Sequence, residues 1–172
     1  LLQNFSPRVR EHLLAQLRHG RLRLGGQKSE VTILVSDIRG FTRMSAGMEA
    51  DDVVELLNQY FSALIDVIFR HDGTIDKFVG DSILAVFGSP EPDPDQHEKA
   101  VRAALEMQEA ARAVSAARVK RHQVACEMGI GVHCGEVLHG FSGSSERIEF
   151  TVIGDAVIRA ARYCDGARPG DV

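Results

Sequence analysis

Apolar positions along this chain alternate between helical stripes and short β-branched runs. Val9, Leu13, Leu14 and Leu17 fall on one stripe behind Ser6-Pro7, so residues 6–18 are predicted as a short amphipathic helix capped by Ser6. Gly25-Gly26 break the chain, and Val31–Asp37 is then too continuously apolar to be half-exposed, which predicts a buried central strand. Val53, Leu57, Tyr60, Leu64 and Val67 or Ile68 mark a core-facing helix from about Ala50 to Arg70, stopped by His71-Asp72-Gly73. Thr74–Val79 and Ser82–Phe87 read as a hairpin with Gly80-Asp81 at its tip. Prolines 90, 92 and 94 exclude regular structure before a second helix from Gln96 to about Val114. Val124–Val132 and Val137–Leu138 are predicted as strands around a turn at His133-Cys134-Gly135. Phe150–Ile153 is a further strand, and Gly154-Asp155 opens a last helix through Tyr163.

The predicted order is β α β β α β β β α after an N-terminal helix. Helices interleaved with a mainly antiparallel central sheet predict an α+β layered domain of the ferredoxin-like or polymerase-palm type, with helices packed on the sheet. The 172 residues, 44% hydrophobic and 26% charged, suit one domain. A net charge of −4, with basic residues scattered apart from Arg118-Val119-Lys120-Arg121, gives no footprint for nucleic acid. Cys126, Cys134 and Cys164 form no paired framework and are expected to be reduced packing residues of a cytoplasmic domain. No apolar run approaches the ~20 residues that span a bilayer.

Two aspartates carry the candidate chemistry. Asp37 ends the first strand and leads into Ile38-Arg39-Gly40-Phe41-Thr42, while Asp81 sits at the hairpin tip. If these strands are neighbours, four carboxylate oxygens converge beside a turn rich in free amides, an arrangement suited to hard cations carrying a polyphosphate. Taken singly, either aspartate reads equally well as a turn cap.

Three segments in order, Val35-Ser36-Asp37-Ile38-Arg39-Gly40-Phe41-Thr42, Asp76-Lys77-Phe78-Val79-Gly80-Asp81 and Glu149–Arg162, resemble the catalytic domain of class III nucleotidyl cyclases of the bacterial adenylyl cyclase type. The likeness runs from about Leu2 to Gly170. It implies that Asp37 and Asp81, with the Ile38 carbonyl, hold two Mg²⁺ or Mn²⁺ ions per site, and that amides across Ile38–Thr42 cradle the triphosphate, with Gly40 permitting close approach. It makes Lys77 and Thr151 the purine-reading pair: an ammonium suits the acceptor N1 of adenine, and guanylyl cyclases would show Glu and Cys there. Arg162 would face charge developing on the α-phosphorus. The resemblance further implies ATP as substrate, a head-to-tail homodimer with shared sites, and an upstream sensor or regulatory domain. On this reading residues 1–28 are an N-terminal helix and linker from that upstream module, and 29–172 are the catalytic domain with its C-terminal strand truncated.

One turn before Arg162 the chain departs from the family, with Ile158 where an asparagine that orients the ribose is normal. Losing one such donor typically costs ~10²–10³ in turnover, which predicts a slow enzyme, or alternatively a silent cyclase-like domain that binds nucleotide or a partner. Glu127 and Gly129 stand where related domains often offer a basic residue to the phosphates, and His133 is expected to be structural.

Overall fold

The computed structural model describes residues 2–19, 25–143 and 148–172, so part of the expected linker, residues 20–24, lies outside them. The described strands form a five-stranded sheet in the order β2-β3-β1-β4-β5. These are β1 (Gly25–Ile38), β2 (Thr74–Val79), β3 (Ser82–Phe87), β4 (Met128–Gly143) and β5 (Ile148–Ile153). Every neighbouring pair is antiparallel. Helices α1 (Pro7–Arg18), α2 (Phe41–Ser45), α3 (Ala50–Arg70), α4 (Gln96–Lys120) and α5 (Asp155–Gly166) complete the α+β fold.

Strand β1 occupies the middle of the sheet because it is apolar on both faces. Leu34 and Ile38 pack with Leu56, Tyr60 and Leu64 of α3 and with Ala104 and Met107 of α4. Val31, Ile33 and Val35 point the other way, into a second core with Val9 and Leu13 of α1 and Ala156 and Ala160 of α5. Helix α1 starts where expected, with the Ser6 hydroxyl accepting from the Val9 amide and proline in the first turn. Phe5 anchors it: the ring is buried against Phe141 and Phe150.

Four expectations need correction. Gly25-Gly26 do not break the chain but begin β1, paired with Phe141 and Gly140. The predicted turn at His133-Cys134-Gly135 is the middle of one continuous strand, with those residues opposite Ile33, Thr32 and Val31. Residues 123–127 precede β4 instead of belonging to it. Two predicted strands are therefore one. At Gly131 within this strand a side chain would collide with the backbone of Ala160 and Cys164. The glycine lets α5 lie directly on β4. Helix α4 also runs past Val114 to Lys120.

Candidate active site

Antiparallel pairing of β1 with β3 places Ser36 opposite Ile83, so the end of β1 meets the β2–β3 hairpin tip. Gly80 turns that tip with φ 61°, a conformation that a side chain would strain. The two aspartates are brought together here. Asp81 Oδ2 accepts from the Ile38 amide at 3.2 Å, and the Ser82 hydroxyl donates to Asp37 Oδ2 at 2.8 Å. Burial, and after it the negative charge of Asp37, push the Asp81 carboxyl above the usual carboxylate value. Two carboxylates this close repel each other when both are ionised, and a divalent cation between them would relieve that repulsion. Two carboxylates are an incomplete shell for such an ion. Mg²⁺ commonly completes this kind of shell with phosphate oxygens and water, so the donor set fits metal delivered with a polyphosphate.

The adjoining turn is less open than its sequence suggests. The Ile38 amide is taken by Asp81 and the Arg39 amide donates to the Glu127 carbonyl at 2.9 Å. Gly40 adopts φ 69° and begins α2, so the Phe41 and Thr42 amides are first-turn donors with no intrahelical acceptor. No Cβ at residue 40 would meet another atom, so the backbone angle, and not crowding, explains the glycine.

Lys77 and Thr151 lie on the two edge strands, β2 and β5, which nevertheless touch beyond the open side of the sheet. Thr151 pairs with Gly140 of β4. Lys77 is about half-exposed, and its ammonium lies 3.4 Å from Asp76. Ile158 and Arg162 are exposed on α5, Ile158 with 54% of its surface open. Arg162 borders an open cleft of about 580 Å³ that Ile130, Val132, Arg168 and Asp171 also line. Among the described residues no contact joins Arg162 or Lys77 to Asp37 or Asp81. Within one chain the carboxylates form one group, while the base-reading and arginine candidates stand apart from it. His133 lies inside β4 with its ring against Tyr163 at 5.6 Å, as a packing residue does.

Arg39 has a place in the site that the sequence reading did not assign. Its guanidinium lies 3.3 Å from the Asp37 carboxylate, over Gly129, where any side chain would overlap it. A signal existed: a glycine within a strand, directly opposite Asp37, marks a close approach.

Residues 25–172 match the adenylate and guanylate cyclase catalytic domain family. The crystal structure of the guanylyl cyclase Cya2 superposes with a TM-score of 0.81 at 41% identity, over 85% of this chain and 74% of that one. The adenylyl cyclase CyaB from P. aeruginosa superposes with a TM-score of 0.80 at 30% identity, over 86% of this chain and 76% of that one. In sequence, the uncharacterized protein Rv1318c of Mycobacterium tuberculosis is 39% identical over 168 residues, which are 96% of this chain. The chain spans 30% of the length of that relative. Among the described residues no helix is long and apolar enough to cross a membrane. From the carboxylate pair at the strand ends to the whole-domain superposition, the chain belongs to the adenylate and guanylate cyclase catalytic domain family.

Proposed function

We propose that this domain converts ATP to 3′,5′-cyclic AMP and pyrophosphate as a head-to-tail homodimer with sites shared between subunits. The observation that carries the reading is the meeting of Asp37 and Asp81 beside the free first-turn amides of α2. In the reaction the ribose 3′-oxygen bonds to the α-phosphorus as the bond to pyrophosphate breaks, and the hydroxyl proton passes to solvent. Asp37, Asp81 and the Ile38 carbonyl would hold two Mg²⁺ or Mn²⁺ ions. Bound there, such ions acidify the 3′-hydroxyl and neutralise the phosphates.

The chain's own residues bind and orient. Phe41 and Thr42 amides, freed by the left-handed turn at Gly40, donate to phosphate oxygens. Lys77 donates to adenine N1 and Thr151 accepts from the adenine amino group, from the strand edge of the partner subunit. Arg162, exposed on α5, faces the charge that builds on the α-phosphate. A shared site explains why these candidates lie apart from the carboxylates within one chain. The exposed apolar side chains of Phe78, Val79 and Ile153 on β2 and β5 suit burial in such a pairing. Ile158 offers no hydrogen bond to the ribose, which makes the enzyme slow.

A second reading, guanylyl cyclase activity, draws on the 41% identity with Cya2. The two are separated by cyclic nucleotide formation from ATP and from GTP with Mn²⁺. A kcat/KM higher for ATP supports the adenylyl reading, a higher value for GTP overturns it in favour of the guanylyl one, and product from neither leaves a silent binding domain.

A further inference from the structure

Strand β2 is not regular where it carries Lys77. Ile75 opposes Ala85 and Lys77 opposes Leu84, so Asp76 is an extra residue in the ladder. A bulge re-aims the side chains around it. Here it turns Asp76 inward while Lys77 stays outward. The Asp76 side chain has 0% of its surface exposed, and neither carboxylate oxygen has a hydrogen-bond partner among the described residues. Asn4 donates to its backbone carbonyl at 3.5 Å and Phe5 bridges to Thr74, so the segment before α1 lies against this part of β2. On the side of β5 the Val152 backbone amide faces the carboxyl, next in sequence to Thr151. The cation beside it is the Lys77 ammonium, with Nζ 3.4 Å from Oδ2.

A buried carboxylate with no well-formed hydrogen bond is costly, and burial does push its pKa up against the opposing pull of Lys77 and of the Val152 amide. Packing alone gives no reason for this choice, since a neutral or apolar residue would sit there at lower cost. The ammonium, by contrast, gains from it. Lysine carries a compact charge on a flexible stem, and a fixed carboxylate limits where that charge rests. An ammonium held there is a donor that suits adenine N1 and not the N1–H of guanine.

We propose that Asp76 is a positioning residue for purine selection, holding the Lys77 ammonium between β2 and β5 so that one of its N–H groups is presented to the base. This rests on Lys77 being the base-reading residue, and the test separates the two claims. ATP and GTP kinetics with Mn²⁺ are measured for the native chain, Asp76→Asn, Asp76→Glu, Lys77→Ala and the double variant Asp76→Asn/Lys77→Ala. Displacement of a fluorescent ATP analogue in Ca²⁺ gives the same comparison without turnover.

Asp76→Asn should raise the ATP KM about tenfold, with a smaller change in kcat, and narrow the preference for ATP by a similar factor. Asp76→Glu should recover part of both, and the thermal midpoint of Asp76→Asn should not fall. In the Lys77→Ala background Asp76→Asn should add nothing, because its effect passes through the ammonium. If Lys77→Ala weakens ATP but Asp76→Asn changes neither KM nor the ATP to GTP ratio, the positioning role is wrong and the base-reading one stands. Should Lys77→Ala leave ATP binding unchanged, both are overturned. A loss in Asp76→Asn that persists undiminished without Lys77 also overturns the proposal, since it marks a structural role.

Discussion

Arg39 and Asp37 form an ion pair at 3.3 Å, with the guanidinium lying in space left open by Gly129. The same guanidinium donates to the Cys164 sulfur at 3.4 Å and to the carbonyls of Asp165 and Ala167 at 3.5 Å, all at the end of α5. One arginine therefore links the carboxylate end of β1 to the last helix and partly neutralises a candidate metal ligand. A divalent cation at Asp37 must compete with it.

Arg39→Ala should bind Mn²⁺ more tightly in the absence of nucleotide, by a few-fold, the size expected for removing a partly exposed ion-pair partner. Calorimetric titration with Mn²⁺ measures this. Weaker Mn²⁺ binding in the variant would show that Arg39 orients Asp37 for the cation and does not compete with it.

Stability should depend on pH through Asp81. Its carboxyl titrates above the ordinary 3.8, raised by burial and by Asp37, so between 3.8 and the raised value the folded chain binds more protons than the unfolded one. The stability contributed by the protonated form is full below 3.8 and is lost as pH rises through the raised value. In EDTA at pH 7, Asp81→Asn should therefore resist urea better than the native chain, with the gap closing as the pH falls. Mn²⁺ should reverse the order, adding about 2.7 kcal/mol to the native chain at a hundredfold excess over its Kd. Equal urea midpoints at every pH in EDTA would contradict this.

Most of the architecture was legible because its signals are local. The stripe behind Ser6-Pro7, the helix stopped at His71-Asp72-Gly73 and the Gly80-Asp81 hairpin tip each rest on a few adjacent residues, and each is found where expected. What misled was glycine whose purpose is tertiary. Gly131 in β4 makes room for the backbone of α5, and a side chain at Gly135 would come within 3.0 Å of Ala156, yet Gly135 looks like a turn residue when only neighbours in sequence are considered. In the site, the sequence singled out Asp37 and Asp81, and the structure brings them together. The burial of Asp76 was not legible, since it depends on a bulge, on Asn4 and Phe5, and on the approach of β5. The direction of Arg39 was missed for a similar reason: it follows from an absent side chain on the neighbouring strand.

Ile158 is exposed on α5, one turn before Arg162, so an asparagine there would fold without disturbing the core. Ile158→Asn should raise kcat, by as much as ~10²–10³ if the missing donor is the whole deficit. Turnover at saturating ATP and Mn²⁺ measures this. An unchanged kcat would mean that the apolar residue is not what slows the enzyme.

The central claim is that Asp37 and Asp81 act together on a nucleotide through bound cations. Cyclic AMP formation from ATP with Mn²⁺, compared between the native chain and Asp37→Ala at matched folding, tests it most directly. The account predicts product from the native chain and none above background from Asp37→Ala. Equal product from the two would contradict it.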